Sequence, residues 1–82
     1  MFPEKLNDER KKNLRNILAR NLRIMRESRG YTQNEIANYL GVYLITYHKY
    51  EQQHYDCQPI AIMLYALSKL YSCDISRFFI GE

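Results

Sequence analysis

Thr32-Gln33-Asn34-Glu35-Ile36-Ala37-Asn38-Tyr39-Leu40-Gly41-Val42-Tyr43-Leu44-Ile45-Thr46-Tyr47-His48-Lys49-Tyr50-Glu51 reads as two short helices joined by a tight turn. Thr32 suits a helix N-cap, and Glu35 three residues later completes a capping box. Ile36, Ala37 and Leu40 then fall at helical spacing and give the first helix one apolar side. Gly41 follows at once and closes that helix, because glycine takes the left-handed conformation without a Cβ penalty. Val42 is an apolar plug in the turn. A second helical pattern runs to about Glu51, with Tyr47 and Tyr50 facing inward, and the small Ala37 lets it cross the first helix closely. Two helices crossing steeply through so short a connection make a helix-turn-helix.

Around this centre the chain reads as helices throughout. Asn7 or Asp8 can cap a long helix reaching about Ser28, and Pro3 suits a turn or a first helical position. Leu14, Leu18, Leu22 and Met25 form one apolar stripe, which Ile17 and Ile24 widen. Gly30 ends this helix, and Tyr31 staples the next one to the core. A polar loop, Gln52 to Gln58, follows the second short helix. Pro59 suits the first turn of a fourth helix whose inner face is Ile60, Leu64, Leu67 and Tyr71, flanked by Met63 and Leu70, with Ser68 small enough for close packing. Asp74 caps a last short helix containing Ile75, Phe78 and Phe79. Phe78, Phe79 and Ile80 are three consecutive bulky apolar residues, and one helix face cannot bury all three. They are therefore the expected dimer contact.

Eighty-two residues make one small domain. The hydrophobic share of 46% excludes intrinsic disorder on composition. No apolar run approaches the ~18–20 residues of a membrane span, and the polar N-terminus is no signal peptide, so a cytoplasmic protein is expected. Cys57 and Cys73 form neither a disulfide framework nor a zinc pattern and read as small apolar fillers. His48 and His54 have no ligand partners at metal spacing, so no metal or cofactor is expected, and both read as surface or groove-facing. No nucleophile–base pair or glycine-rich phosphate loop is present, which argues against an enzyme. Of the net charge of +3, the first 30 residues carry nine Lys or Arg against four acids, while the remainder carries three against five. That basic first helix suits phosphate attraction, and equally a solvated helix face.

Gly30-Tyr31-Thr32-Gln33, Ile36-Ala37, Leu40-Gly41-Val42, Thr46-Tyr47, Lys49-Tyr50-Glu51 and Pro59 resemble the phage repressor and Cro-like helix-turn-helix family, also called the Xre family. The resemblance covers about Leu14 to Phe79. It implies an all-α, five-helix, lambda-repressor-like DNA-binding domain over residues 13–82, with residues 1–12 extending the first helix. It also implies a homodimer on double-stranded DNA, whose third helix enters the major groove. By resemblance, Gln33 contacts the phosphate backbone, and Tyr43, Leu44, Ile45, Thr46 and Lys49 face the groove. Lys49 can reach guanine O6/N7 or a phosphate, and Leu44 and Ile45 can pack on thymine methyls. Arg26 and Glu51 match positions that pair as ions in the family.

The chain departs from the family pattern in its contact region. Tyr43 stands where Ser or Thr is common, Ile45 where a polar residue is common, and Gln53 where glycine is usual. An exposed Tyr43-Leu44-Ile45 cluster also suits a protein partner. Three functions follow from the sequence: a sequence-specific transcriptional regulator, repressor-like; an antitoxin-like or adaptor module of the same fold; and a weakly specific DNA binder.

Overall fold

The computed structural model describes residues 4–53 and 56–81. These form four α-helices, α1 (Asp8–Ser28), α2 (Gln33–Leu40), α3 (Leu44–Tyr50) and α4 (Ala61–Leu70), and a short 3-10 helix (Ile75–Phe79). No strand occurs among the described residues, and no helix among them is long and apolar enough to cross a membrane.

Local chemistry sets the helix ends. Asn7 caps α1 by accepting from the Arg10 N–H at 2.8 Å, and Asp8 and Glu9 in the first turn suit the positive end of the helix dipole. Gly30, at φ 78°, lets the chain turn away from α1. There the Gly30 N–H donates to Glu27 O and the Tyr31 N–H to Arg26 O. Glu4–Asn13 are all exposed, so the first turns of α1 make no part of the core.

The core is built from Leu18, Leu22 and Met25 of α1, Ile36 and Ala37 of α2, Tyr47 and Tyr50 of α3, Leu64 and Leu67 of α4, and Tyr71 and Phe78 beyond it. Each fully buried Leu or Ile side chain contributes roughly 1.5–3 kcal/mol. Cys57 and Cys73 pack against this core as free thiols. Ser68 is buried, and its hydroxyl donates to Tyr65 O at 2.6 Å.

Three expectations from the sequence need correction. Ile24 is 49% exposed, because its neighbour Met25 takes the inward position. Pro59 is buried but precedes α4, with Ile60 as an extended N-cap. Ile60, outside the helical register, is 59% exposed and does not join Leu64, Leu67 and Tyr71. As its sequence implies, the Phe78-Phe79-Ile80 run is not buried as a whole. The 3-10 helix turns about 120° per residue, so Phe78 points into the core and is fully buried, Phe79 is half-buried, and Ile80 is 55% exposed.

Candidate nucleic-acid interface

The α2–turn–α3 unit is held by three devices. The capping box forms as read from the sequence: Glu35 N donates to Thr32 Oγ1 at 3.1 Å, and Thr32 N donates to Glu35 Oε1 at 2.9 Å. At the other end of α2, Gly41 adopts φ 73°; its N–H reaches Asn38 O and the Val42 N–H reaches Ala37 O. That closure turns the chain straight into α3. Tyr43 occupies the α3 N-cap with no side-chain hydrogen bond, forgoing the ~1 kcal/mol that Ser or Thr would contribute. Third, Tyr47 and Tyr50 plant α3 on the core with their rings edge to face, centroids 5.9 Å apart.

A buried ion pair fixes the rotation of α3. Arg26 Nε donates to Glu51 Oε2 at 2.7 Å and Nη2 to Oε1 at 3.0 Å, a bidentate pair whose side chains are 10% and 1% exposed. Arg26 Nη1 also donates to Tyr31 O at 2.8 Å, so one guanidinium joins α1, the α1–α2 turn and the end of α3. Burial pushes the Glu51 carboxyl up. Hydrogen bonding from Arg26, the nearby Tyr47 hydroxyl, Gln33 and the Arg26 charge outweigh it and hold the group below the usual carboxylate range. The hydrogen bond to Glu51 outweighs burial at Arg26 and pushes its pKa up. Burial, then Glu51, pushes the Tyr47 phenol far up. The Tyr47 hydroxyl is buried beside Glu51 without a partner in acceptable hydrogen-bond geometry, so its help to the carboxylate is that of a nearby dipole.

Gln33 lies on this network. Its Nε2 donates to Glu51 Oε1 at 3.0 Å, and its Oε1 lies 3.2 Å from His48 Nδ1. His48 Nε2 in turn lies 3.3 Å from Gln52 Nε2. Gln33, expected at a phosphate, thus has its amide turned toward α3.

The opposite face of α3 looks out. Tyr43 is 82% and Ile45 67% exposed, Leu44 is about half exposed, and Thr46 and Lys49 are half-buried. Gln33, Leu44, Ile45 and His48 line a shallow, mostly apolar depression. Asn38, Gly41, Val42, Tyr43 and Thr46 line a second one beside the turn. Of the six candidate groove or phosphate residues, Gln33, Leu44 and Ile45 line the first depression and Tyr43 and Thr46 the second, while Lys49 lines neither. The expected dimer residues Phe78, Phe79 and Ile80 belong to a different element.

Seven of the nine basic residues of the first thirty positions fall into two groups. Arg26 serves the ion pair. Arg20 Nη2 donates to Ile80 O at 3.0 Å, beside Asn21, whose Nδ2 donates to Phe78 O and Ile80 O, both at 2.9 Å. Arg29 donates to Tyr71 O at 3.3 and 3.0 Å and sits 4.8 Å over the Tyr71 ring. Each of these arginines donates to a backbone carbonyl. Lys5, Arg10, Lys11 and Lys12 are exposed around the start of α1. Reading by residue type missed these locks. Asn21, a polar residue inside the Leu18-Leu22-Met25 stripe, was the available signal for one of them.

Among the described residues no group of His, Cys, Asp and Glu is placed to hold a metal ion; His54 and Tyr55 lie outside them. No protein-family model, no curated protein and no solved structure matches this chain.

Proposed function

We propose that this chain is a sequence-specific DNA-binding regulator of the phage repressor and Cro-like type, a lambda-repressor-like domain that reads the major groove with α3 and acts as a homodimer. One observation carries the reading: α3 is locked on its inner side by Tyr47, Tyr50 and Glu51, while Tyr43, Leu44, Ile45, Thr46 and Lys49 share its outer side. A short helix anchored on one side, with exposed residues on the other, is what groove readout needs. The α2 N-terminus beside it supplies N–H groups and a positive dipole end for a phosphate. Leu44 and Ile45 contribute thymine-methyl contacts, Thr46 and Tyr43 hydrogen bonds, and Lys49 a charge.

One observation favours a second reading. Tyr43, Leu44 and Ile45 are large, apolar and exposed together, the composition of a protein-binding patch, as in an antitoxin-like or adaptor module. Fluorescence anisotropy separates these readings: titrate the chain into a random-sequence duplex pool and into the DNA upstream of its own coding sequence, at two salt concentrations. The regulator reading expects one sequence to outcompete the pool at both. Equal, steeply salt-dependent binding to all sequences marks a weakly specific binder. No binding at low salt marks the interaction module.

A further inference from the structure

With the His48 ring neutral, the hydrogen bonds leading outward from Glu51 have one consistent set of directions. Glu51 is an ionised carboxylate and accepts only. The Gln33 group facing it at 3.0 Å is therefore the amide nitrogen, which turns the Gln33 carbonyl toward His48. A carbonyl needs a donor, so His48 carries its proton on Nδ1. The neutral ring then has a lone pair on Nε2, and the Gln52 group facing it at 3.3 Å is the amide nitrogen. Flipping the Gln52 amide would set its oxygen against that lone pair. The polarity of a buried ion pair is thus carried through two side chains to the surface, where it fixes which way the Gln52 amide presents its second N–H and its carbonyl.

Leu44 and His48 are four residues apart and lie along one side of α3, and Gln52, just past the end of the helix, meets His48 there. We propose that Gln33 and His48 are positioning residues and that Gln52, oriented by them, is a specificity-determining residue that reads adenine through its N7 and N6. This rests on α3 being the reading helix. It makes the reading face apolar at one end, for thymine, and amide-bearing at the other, for adenine.

Two measurements on the full chain test this. Ring nitrogen NMR of the free protein at about pH 8, above the ordinary imidazole range, reads the His48 tautomer with no DNA present. The proposal expects the Nδ1–H form, shifting toward Nε2–H in Gln33→Ala. An Nε2–H tautomer in the wild type, or a tautomer unmoved in Gln33→Ala, overturns the relay. Selection from a random duplex library then compares wild type with Gln52→Ala. The expected result is a preferred adenine in addition to a preferred thymine. Gln52→Ala should lose the adenine preference, a discrimination of about 5- to 150-fold, and keep the thymine. Unchanged base preferences in Gln52→Ala overturn the reading role. Failure of the wild type to select any sequence instead removes the DNA function itself, and shows before any variant is made.

Discussion

Removing either partner of the Arg26–Glu51 pair should cost this domain a large share of its stability. In Glu51→Ala the guanidinium, 10% exposed, loses both bidentate bonds and keeps Tyr31 O, while Gln33 loses its acceptor. In Arg26→Ala the carboxylate, 1% exposed, keeps only the Gln33 amide and the adjacent Tyr47 dipole. Stranding one charge of a buried pair costs about 3–5 kcal/mol. A domain of this length has a total stability of roughly 4–12 kcal/mol, so either variant would be marginal, its melting point lower by at least about 12 °C. Losing both charges strands neither. The double alanine variant should therefore fall well short of the summed losses, by about 2 kcal/mol or more, and Arg26→Met with Glu51→Leu should come close to wild type. Urea unfolding followed by circular dichroism, with midpoints compared at constant slope, measures all of these. Losses that add to within about 0.5 kcal/mol would refute the coupling and, with it, the orientation of α3 argued from the pair.

The remaining expectations are smaller in scope. Glu51 is held below its ordinary value of about 4.5 in the folded chain, so the unfolded chain takes up a proton first as the pH falls. Its contribution is complete above about pH 4.5 and is lost as the pH drops through the folded value; Glu51→Gln should flatten that acid limb in pH-dependent melting. Tyr47→Phe deletes a buried hydroxyl that has no well-placed partner, so it should cost under about 1 kcal/mol or stabilise the domain, and a loss beyond about 2 kcal/mol would show the hydroxyl to be a true donor to Glu51. Light scattering should find that Ile80→Glu, at an exposed position, keeps the fold and reveals whether the C-terminus makes a dimer. Phe78→Glu should unfold the chain, because Phe78 is fully buried.

The helix ends were legible in the sequence because their causes are local. Thr32 with Glu35, Gly30, Gly41 and Asp74 each act within a few residues of themselves, and each appears where its chemistry places it. The inner faces of α2 and α3 followed from spacing alone. What depends on partners distant along the chain was not legible. Asn21 and Arg20 bind carbonyls some sixty residues away, and Arg29 binds Tyr71 across 42. A count of basic residues credits such arginines to the surface. Ile24 and Ile60 carry the right residue type on the wrong side of a boundary, by one position each. Of the candidate site, the outward residues of α3 were named by resemblance, and Tyr43, Leu44 and Ile45 among them are exposed. The link from Glu51 through Gln33 to His48 and Gln52 was not legible, since it runs between α2 and α3 and depends on which atoms can donate.

The central claim, that the outer side of α3 and the start of α2 meet DNA, is tested most directly by amide chemical-shift mapping. Titrating the labelled chain at low salt with the duplex it selects should move the amides of Thr32–Asn34, Tyr43–Thr46 and Lys49, and leave those of Ile62 and Tyr65 on α4 in place. Shifts confined to the exposed Ile62-Tyr65 face, or no shift at saturating duplex, would contradict it.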